Sequence, residues 1–143
     1  MQLAPGGGTS YHCILAWSLI AQQRFSEAEA EINLDNEGVD RTNTLGLLAI
    51  ARGQGTVARA MLAQLEEMAR TRADSADLQE SIAWIANGLG DKDRAFAALE
   101  KARASRDPSM AWLRNCWYLA PLFPDPRWSA LLHKMGLADE QLK

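Results

Sequence analysis

Four side chains in this sequence could carry metal or thiol chemistry: His12, Cys13, Cys116 and His133. Zinc sites announce themselves by paired short spacings such as C-x₂₋₄-C. Here His12 and Cys13 are adjacent, so on a helix they point in different directions. A site joining them to Cys116 and His133 would have to bring the two chain ends together. A thiolate–imidazole nucleophile pair, Cys116 with His133, lacks any motif to orient it. The expected reading is two free, partly buried thiols and ordinary surface histidines, with no catalytic residue, no metal and no cofactor. "PGGGTS" (5–10) has the glycines of a phosphate loop but not the GxxxxGK[ST] spacing, and no strand precedes it. It reads as a flexible leader over residues 1–9. Carboxylates cluster at Glu27, Glu29, Glu31, Asp35 and Glu37 and at Glu66-Glu67, on amphipathic stretches with no glycine turn beside them. They read as solvated faces, with "EAEAEINLDNE" also able to offer an acidic surface to a basic partner.

The remaining candidates are large aromatic residues, and their meaning depends on the elements that carry them. The chain has 143 residues, enough for one domain with a core or for a short repeat array. It carries 15 basic and 18 acidic residues, a net charge of −3, which argues against nucleic acid as a partner. The longest apolar run, "CILAWSLIA" (13–21), is far short of the roughly 18 residues of a membrane span. The N-terminus lacks the positive region of a signal peptide. Two cysteines without a CxxC or a disulfide framework suit a reducing compartment, so the expected location is the cytoplasm.

Strong helix formers dominate, and valine and threonine are sparse. Breaks at "LDNEGVD" (34–40), "RGQG" (52–55), "RADS" (72–75), "NGLGDKD" (87–93), "SRDPS" (105–109) and "PLFPDP" (121–126) separate segments with helical apolar spacing. Six helices are expected between about residues 10 and 106, then two or three shorter ones. Ser10, Ser26, Asp40, Thr56, Ser75 or Asp74, and Asp91 are the expected N-caps of the six. In the tail, Asp125 should cap a short helix with Pro126 at its first position, and Gly136 should end it. Trp128, Leu131, Leu132 and Met135 then form one apolar stripe, so the prolines look like the hinge of a lid.

A repeat register runs through the first 106 residues. Small residues stand twelve apart at Ala16 and Ala28, Gly46 and Ala58, and Ala83 and Ala95. A large aliphatic precedes each first one (Leu15, Leu45, Ile82), and another follows each second one by four residues (Ile32, Leu62, Leu99). Gly53 and Gly90 lie five residues before the second small residue; the first unit departs with Gln23. The units recur after 30 and then 37 residues, near the period of about 34 for helix–turn–helix repeats.

This register resembles the tetratricopeptide repeat (TPR). "LGLLAIARGQGTVARAMLAQL" (45–65) and "IAWIANGLGDKDRAFAALEKA" (82–102) carry most of its signature, and "LAWSLIAQQRFSEAEAEI" (15–32) less of it. The stretch "GDKDRAFAALEKARASRDPSM" with the later "FPDPRWSALLHKMGL" is similar to the end of TPR regions in bacterial signalling proteins, among them winged-helix regulators, nucleotide cyclases and Ser/Thr kinases. The resemblance implies an all-α fold: a right-handed α-solenoid of about three TPR-like hairpins (about 10–37, 40–72 and 75–106) with a capping segment at 108–143, one domain over 10–143. In that architecture the first helix of each hairpin lines a concave groove. Trp17, Leu47 and Trp84 would face it, with Ile20, Ile50 and Asn87 one turn on and Asp40, Asn43, Asp77 and Glu80 nearer the helix starts. An apolar, aromatic floor with an acidic margin suits an extended or helical peptide.

The expected function is therefore a non-catalytic protein–protein interaction module, part of or derived from a bacterial signalling protein. Its partner would be a protein or peptide, with neither nucleic acid nor membrane, and the chain a monomer or weak homodimer. Three other readings stay open. The large residues could simply fill the core under the C-terminal tail. The chain could be a small helical enzyme or ligand sensor with a pocket of Trp84, Trp112, Trp117 and Tyr118. It could also self-associate through the exposed end of the stack.

Overall fold

The computed structural model describes residues 10–72 and 76–143, with only the backbone of residues 76, 77 and 109. Every regular element among them is helical. Six α-helices come first: α1 (Tyr11–Ala21), α2 (Phe25–Asn33), α3 (Val39–Ala51), α4 (Gly55–Thr71), α5 (Ala76–Gly88) and α6 (Lys92–Ala104). Two 3-10 helices follow, Pro108–Asn115 and Trp117–Leu122, then α7 (Pro126–Lys134) and a last 3-10 turn, Asp139–Gln141. Of the two or three shorter helices expected after about residue 106, the first two are thus 3-10, and Pro121 lies inside the second of them.

The turns inside the pairs α1–α2, α3–α4 and α5–α6 share one geometry. Gln23, Gly53 and Gly90 all have positive φ, at 61°, 72° and 81°. Each amide donates to the carbonyl three residues back, and the next amide donates five back: Gln23 N to Ile20 O and Arg24 N to Leu19 O, repeated at Gly53 and Gln54 and at Gly90 and Asp91. This is the Schellman helix stop. The departure at Gln23 is therefore one of side chain only; its backbone takes the same left-handed conformation without the glycine that favours it.

That turn also decides where the second helices start. The residue leaving it (Arg24, Gln54 or Asp91) occupies the N-cap position of the next helix. Asp91 has a side chain that can use the position, accepting from Arg94 N at 3.1 Å. Arg24 and Gln54 make no side-chain cap. Ser26 and Thr56, the expected caps, fall inside the helices, because the turn feeds the chain into α2 at Phe25 and into α4 at Gly55. Asp40 likewise lies in the first turn of α3, after Gly38, and its Oδ2 accepts from Ser10 N at 3.1 Å. Ser10 caps α1 through His12 N. Ser75 and Asp74 lie outside the described residues.

The alanines of the register lie in the two core clusters. Ala16, Ala28, Ala58, Ala83 and Ala95 are fully buried, as are Ile32 and Leu99. Beyond pairing within each hairpin, α1 touches α3 and α3 touches α5, so the first helices stand side by side. Glycine makes the second of these contacts possible. A Cβ on Gly46 would collide with Ile85 Cδ1, and one on Gly88 with Ile50 Cδ1. Each helix thus offers a glycine to an isoleucine of the other.

The C-terminal segment closes the far end. Met110, Leu113, Leu119, Leu122, Trp128 and Leu131 are buried in one cluster with α4, α5 and α6, and Leu132 and Met135 pack against it. Asp125 and Pro126 start α7, and Gly136 (φ 72°) ends it, with Leu137 N donating to Leu132 O. Hydrogen bonds from the Arg127 side chain and backbone pull the Asp125 carboxyl down to about 2. Arg127 reaches Asp93 at 2.7 Å and lies 4.4 Å over the Phe96 ring, while Lys134 reaches Glu100 at 2.9 Å. Both ion pairs join residues 34 apart, so α7 runs alongside α6 in the same sense. Exposed pairs of this kind stabilise by at most about 1 kcal/mol each. Burial of Trp128 and Leu131, roughly 1.5–3 kcal/mol per side chain, contributes more.

Candidate protein-binding face

Three first helices side by side bring residues far apart in the chain onto one surface. Trp17 of α1 and Trp84 of α5 meet edge to face with ring centroids 5.6 Å apart. The Trp17 indole N–H donates to Thr44 Oγ1 at 3.0 Å, and the Thr44 hydroxyl donates to Asp40 O at 2.8 Å, which fixes the ring from α3. Ile20 and Leu47 are buried beneath in the core cluster of α1, α2 and α3. Trp84 packs against both core clusters and so joins the N-terminal pair to the rest.

The floor so formed is covered by the chain itself. Tyr118, from the Trp117–Leu122 turn, stacks on Trp84 at 5.2 Å and meets Trp17 edge-on at 6.5 Å. Asn87 Nδ2 donates to Tyr118 O at 2.8 Å and pins that turn to α5. Trp117 stacks on Tyr118 at 3.7 Å and is 61% exposed, so an aromatic ladder runs from Trp17 to solvent. Burial, with the nearby Cys116, pushes the Tyr118 hydroxyl up to about 12. Trp84 Nε1, the Tyr118 hydroxyl and Asn87 Oδ1 are buried without a hydrogen-bond partner in the protein.

The other expected groove residues have different surroundings. Ile50 packs on Gly88 within the α3–α5 contact. Asn43 is buried on α3, and Asp40 bonds Ser10. Glu80 faces Cys116, whose thiol is pushed up to about 11 by its burial and by the Glu80 charge. The Asp77 side chain lies outside the described residues. Thr44 and Tyr118 complete the site. Thr44 carried no repeat signature, whereas Tyr118 was expected beside Trp84 and Trp117 only in the alternative reading of an aromatic pocket.

The thiols have little nucleophilic character. Cys13 is buried, donates to Asp35 Oδ2 at 3.1 Å, and is pushed up to about 12 by its burial. A thiol held protonated is a weak nucleophile and a poor metal ligand. Among the described residues no group of three or more His, Cys, Asp or Glu is arranged to hold a metal ion, and no helix is long and apolar enough to cross a membrane. Trp112 is 73% exposed. An open cleft of about 490 Å³ lies against α4, α5 and α6, where Arg94 spans to Glu66, and it includes none of the ladder residues.

No protein-family model, curated protein or solved structure matches the chain.

Proposed function

We propose that this chain is a non-catalytic protein-interaction module, a right-handed α-solenoid of three TPR-like hairpins that binds a peptide or protein segment along its first-helix face, in the cytoplasm of a bacterial signalling system. The aromatic ladder of Trp17, Trp84, Tyr118 and Trp117 carries the reading. Tryptophan and tyrosine clustered at one face are the residues that dominate binding energies at protein interfaces. The Trp84 N–H, Asn87 carbonyl oxygen and Tyr118 hydroxyl, buried without a partner, would meet an incoming backbone only once the Trp117–Leu122 turn moves off the floor. Two thiols that burial holds protonated favour binding over nucleophilic catalysis.

A photo-crosslinking side chain at Trp117, compared with one at exposed Arg59 on α4, tests this in an extract of the source cell. Discrete adducts at position 117, lost on Trp84→Ala, are the expected result. Equal labelling at both positions would remove the assignment of this face.

A further inference from the structure

Tyr118 is held on the first-helix face by both its ring and its backbone. The ring stacks on Trp84 at 5.2 Å and stands edge-on to Trp17 at 6.5 Å, and the carbonyl of the same residue accepts from Asn87 Nδ2 at 2.8 Å. Trp84 and Asn87 lie one turn apart on α5, so one face of that helix reads the side chain and the main chain of a single residue. A pocket for a side chain combined with a main-chain hydrogen bond is how a groove fixes a residue of a bound peptide.

The fit is incomplete. Trp84 Nε1, the Tyr118 hydroxyl and Asn87 Oδ1 are buried at this one contact without a partner in the protein. Each is a polar group whose burial is not offset by a hydrogen bond, and this weakens the closed arrangement. The segment that carries Tyr118 is also lightly built. Trp117–Leu122 is six residues of 3-10 helix, whose hydrogen bonds have poorer geometry than α-helical ones, and Pro121 within it has no N–H to donate. Cys116 before it has an extended backbone (φ −79°, ψ 92°) that separates it from the preceding 3-10 helix. Leu119 and Leu122 are fully buried, whereas Trp117 is exposed. Trp117 and Tyr118 can therefore lift, between Cys116 and Leu119, without drawing the leucines out of the core.

We propose that Tyr118 is an internal stand-in for the partner: the Trp117–Tyr118 corner closes the first-helix face until an extended segment of another protein, carrying an aromatic residue, displaces it. This rests on the binding-face reading above and adds the chemistry of the partner and the control of the site. The incoming ring takes the place of Tyr118 against Trp84 and Trp17, and the carbonyl of the same residue accepts from Asn87 Nδ2. Polar groups beside that ring meet Trp84 Nε1 and Asn87 Oδ1. Because the chain's own turn occupies the site, the apparent affinity for such a segment falls in proportion to the fraction of molecules that are open.

The probe is a fluorescein-labelled peptide with the sequence of residues 113–120, "LRNCWYLA" with Cys116→Ser, and the readout is its polarisation on titration with the full chain. It should bind the Tyr118→Ala chain roughly tenfold more tightly than the wild-type chain, whose own turn competes with it. The same peptide with alanine at its tyrosine should bind neither chain. Adding Asn87→Ala to the Tyr118→Ala chain should weaken binding again. Should Tyr118→Ala lose its fold, Tyr118→Leu, which keeps an apolar side chain over the indoles, repeats the comparison. Equal affinity for the wild-type and variant chains, binding that does not need the peptide's tyrosine, or no binding to any of them would each overturn the proposal. Adducts at position 117 in the extract, found together with one of these results, keep the binding face and remove the stand-in alone.

Discussion

At the scale of single residues, Gln23 shows backbone geometry overriding side-chain preference. Its φ of 61° repeats the conformation of Gly53 and Gly90, and the two turn hydrogen bonds keep the same pattern. A left-handed conformation costs a residue with a Cβ roughly 1–2 kcal/mol, which glycine avoids. Gln23→Gly should therefore raise stability by about 1 kcal/mol, and Gly90→Gln should lower it by a similar amount. Urea unfolding midpoints in the two variants measure both. A lower midpoint for Gln23→Gly would mean that this glutamine makes contacts that outweigh its strain.

At the scale of elements, the α3–α5 contact is the best test of how closely the hairpins stack. Gly46→Ala gains about 1 kcal/mol of helix propensity but drives a methyl into Ile85 Cδ1. Ile85 is fully buried and Met61 closes the other side at 3.4 Å, so the isoleucine has little room to yield. Overpacking of this kind costs roughly 1–3 kcal/mol, and a net loss is expected. Ile85→Val removes the colliding methyl, so the double variant should lose less than the two single losses added together. Strict additivity in unfolding measurements would place the contact elsewhere. The all-helical fold, the six helices to residue 104 and the tail helix from Pro126 were legible because their signals are local: apolar spacing, Asp91 and Asp125 as caps, and glycines at the stops. The starts at Phe25 and Gly55 were not, because a hydrogen-bonded turn rather than a capping side chain sets them. The docking of Tyr118 on Trp84 was legible in part: the alternative pocket reading grouped Trp84, Trp117 and Tyr118, but the sequence did not show their stacking. It joins residues 34 apart through a 3-10 segment with no periodicity of its own.

At the scale of the whole molecule, the C-terminal segment both completes the core and covers the aromatic floor, and these two roles separate at adjacent residues. Leu119 and Leu122 are fully buried and hold the Trp117–Leu122 turn in the core. Tyr118 beside them turns the other way, onto Trp84 and Trp17. Tyr118→Ala should leave the turn anchored while uncovering the two indoles. A red shift in tryptophan emission is expected, with a stability loss of roughly 3–5 kcal/mol or less, since the ring is only half-buried. The same variant then distinguishes a plug from a filler. If Tyr118 holds the site of an incoming segment, removing it raises the yield of adducts from a crosslinker placed at Trp112, on the neighbouring turn. A ring that only fills space would lower stability and leave that yield unchanged, and the binding face would then be confined to the exposed Trp117 end of the ladder.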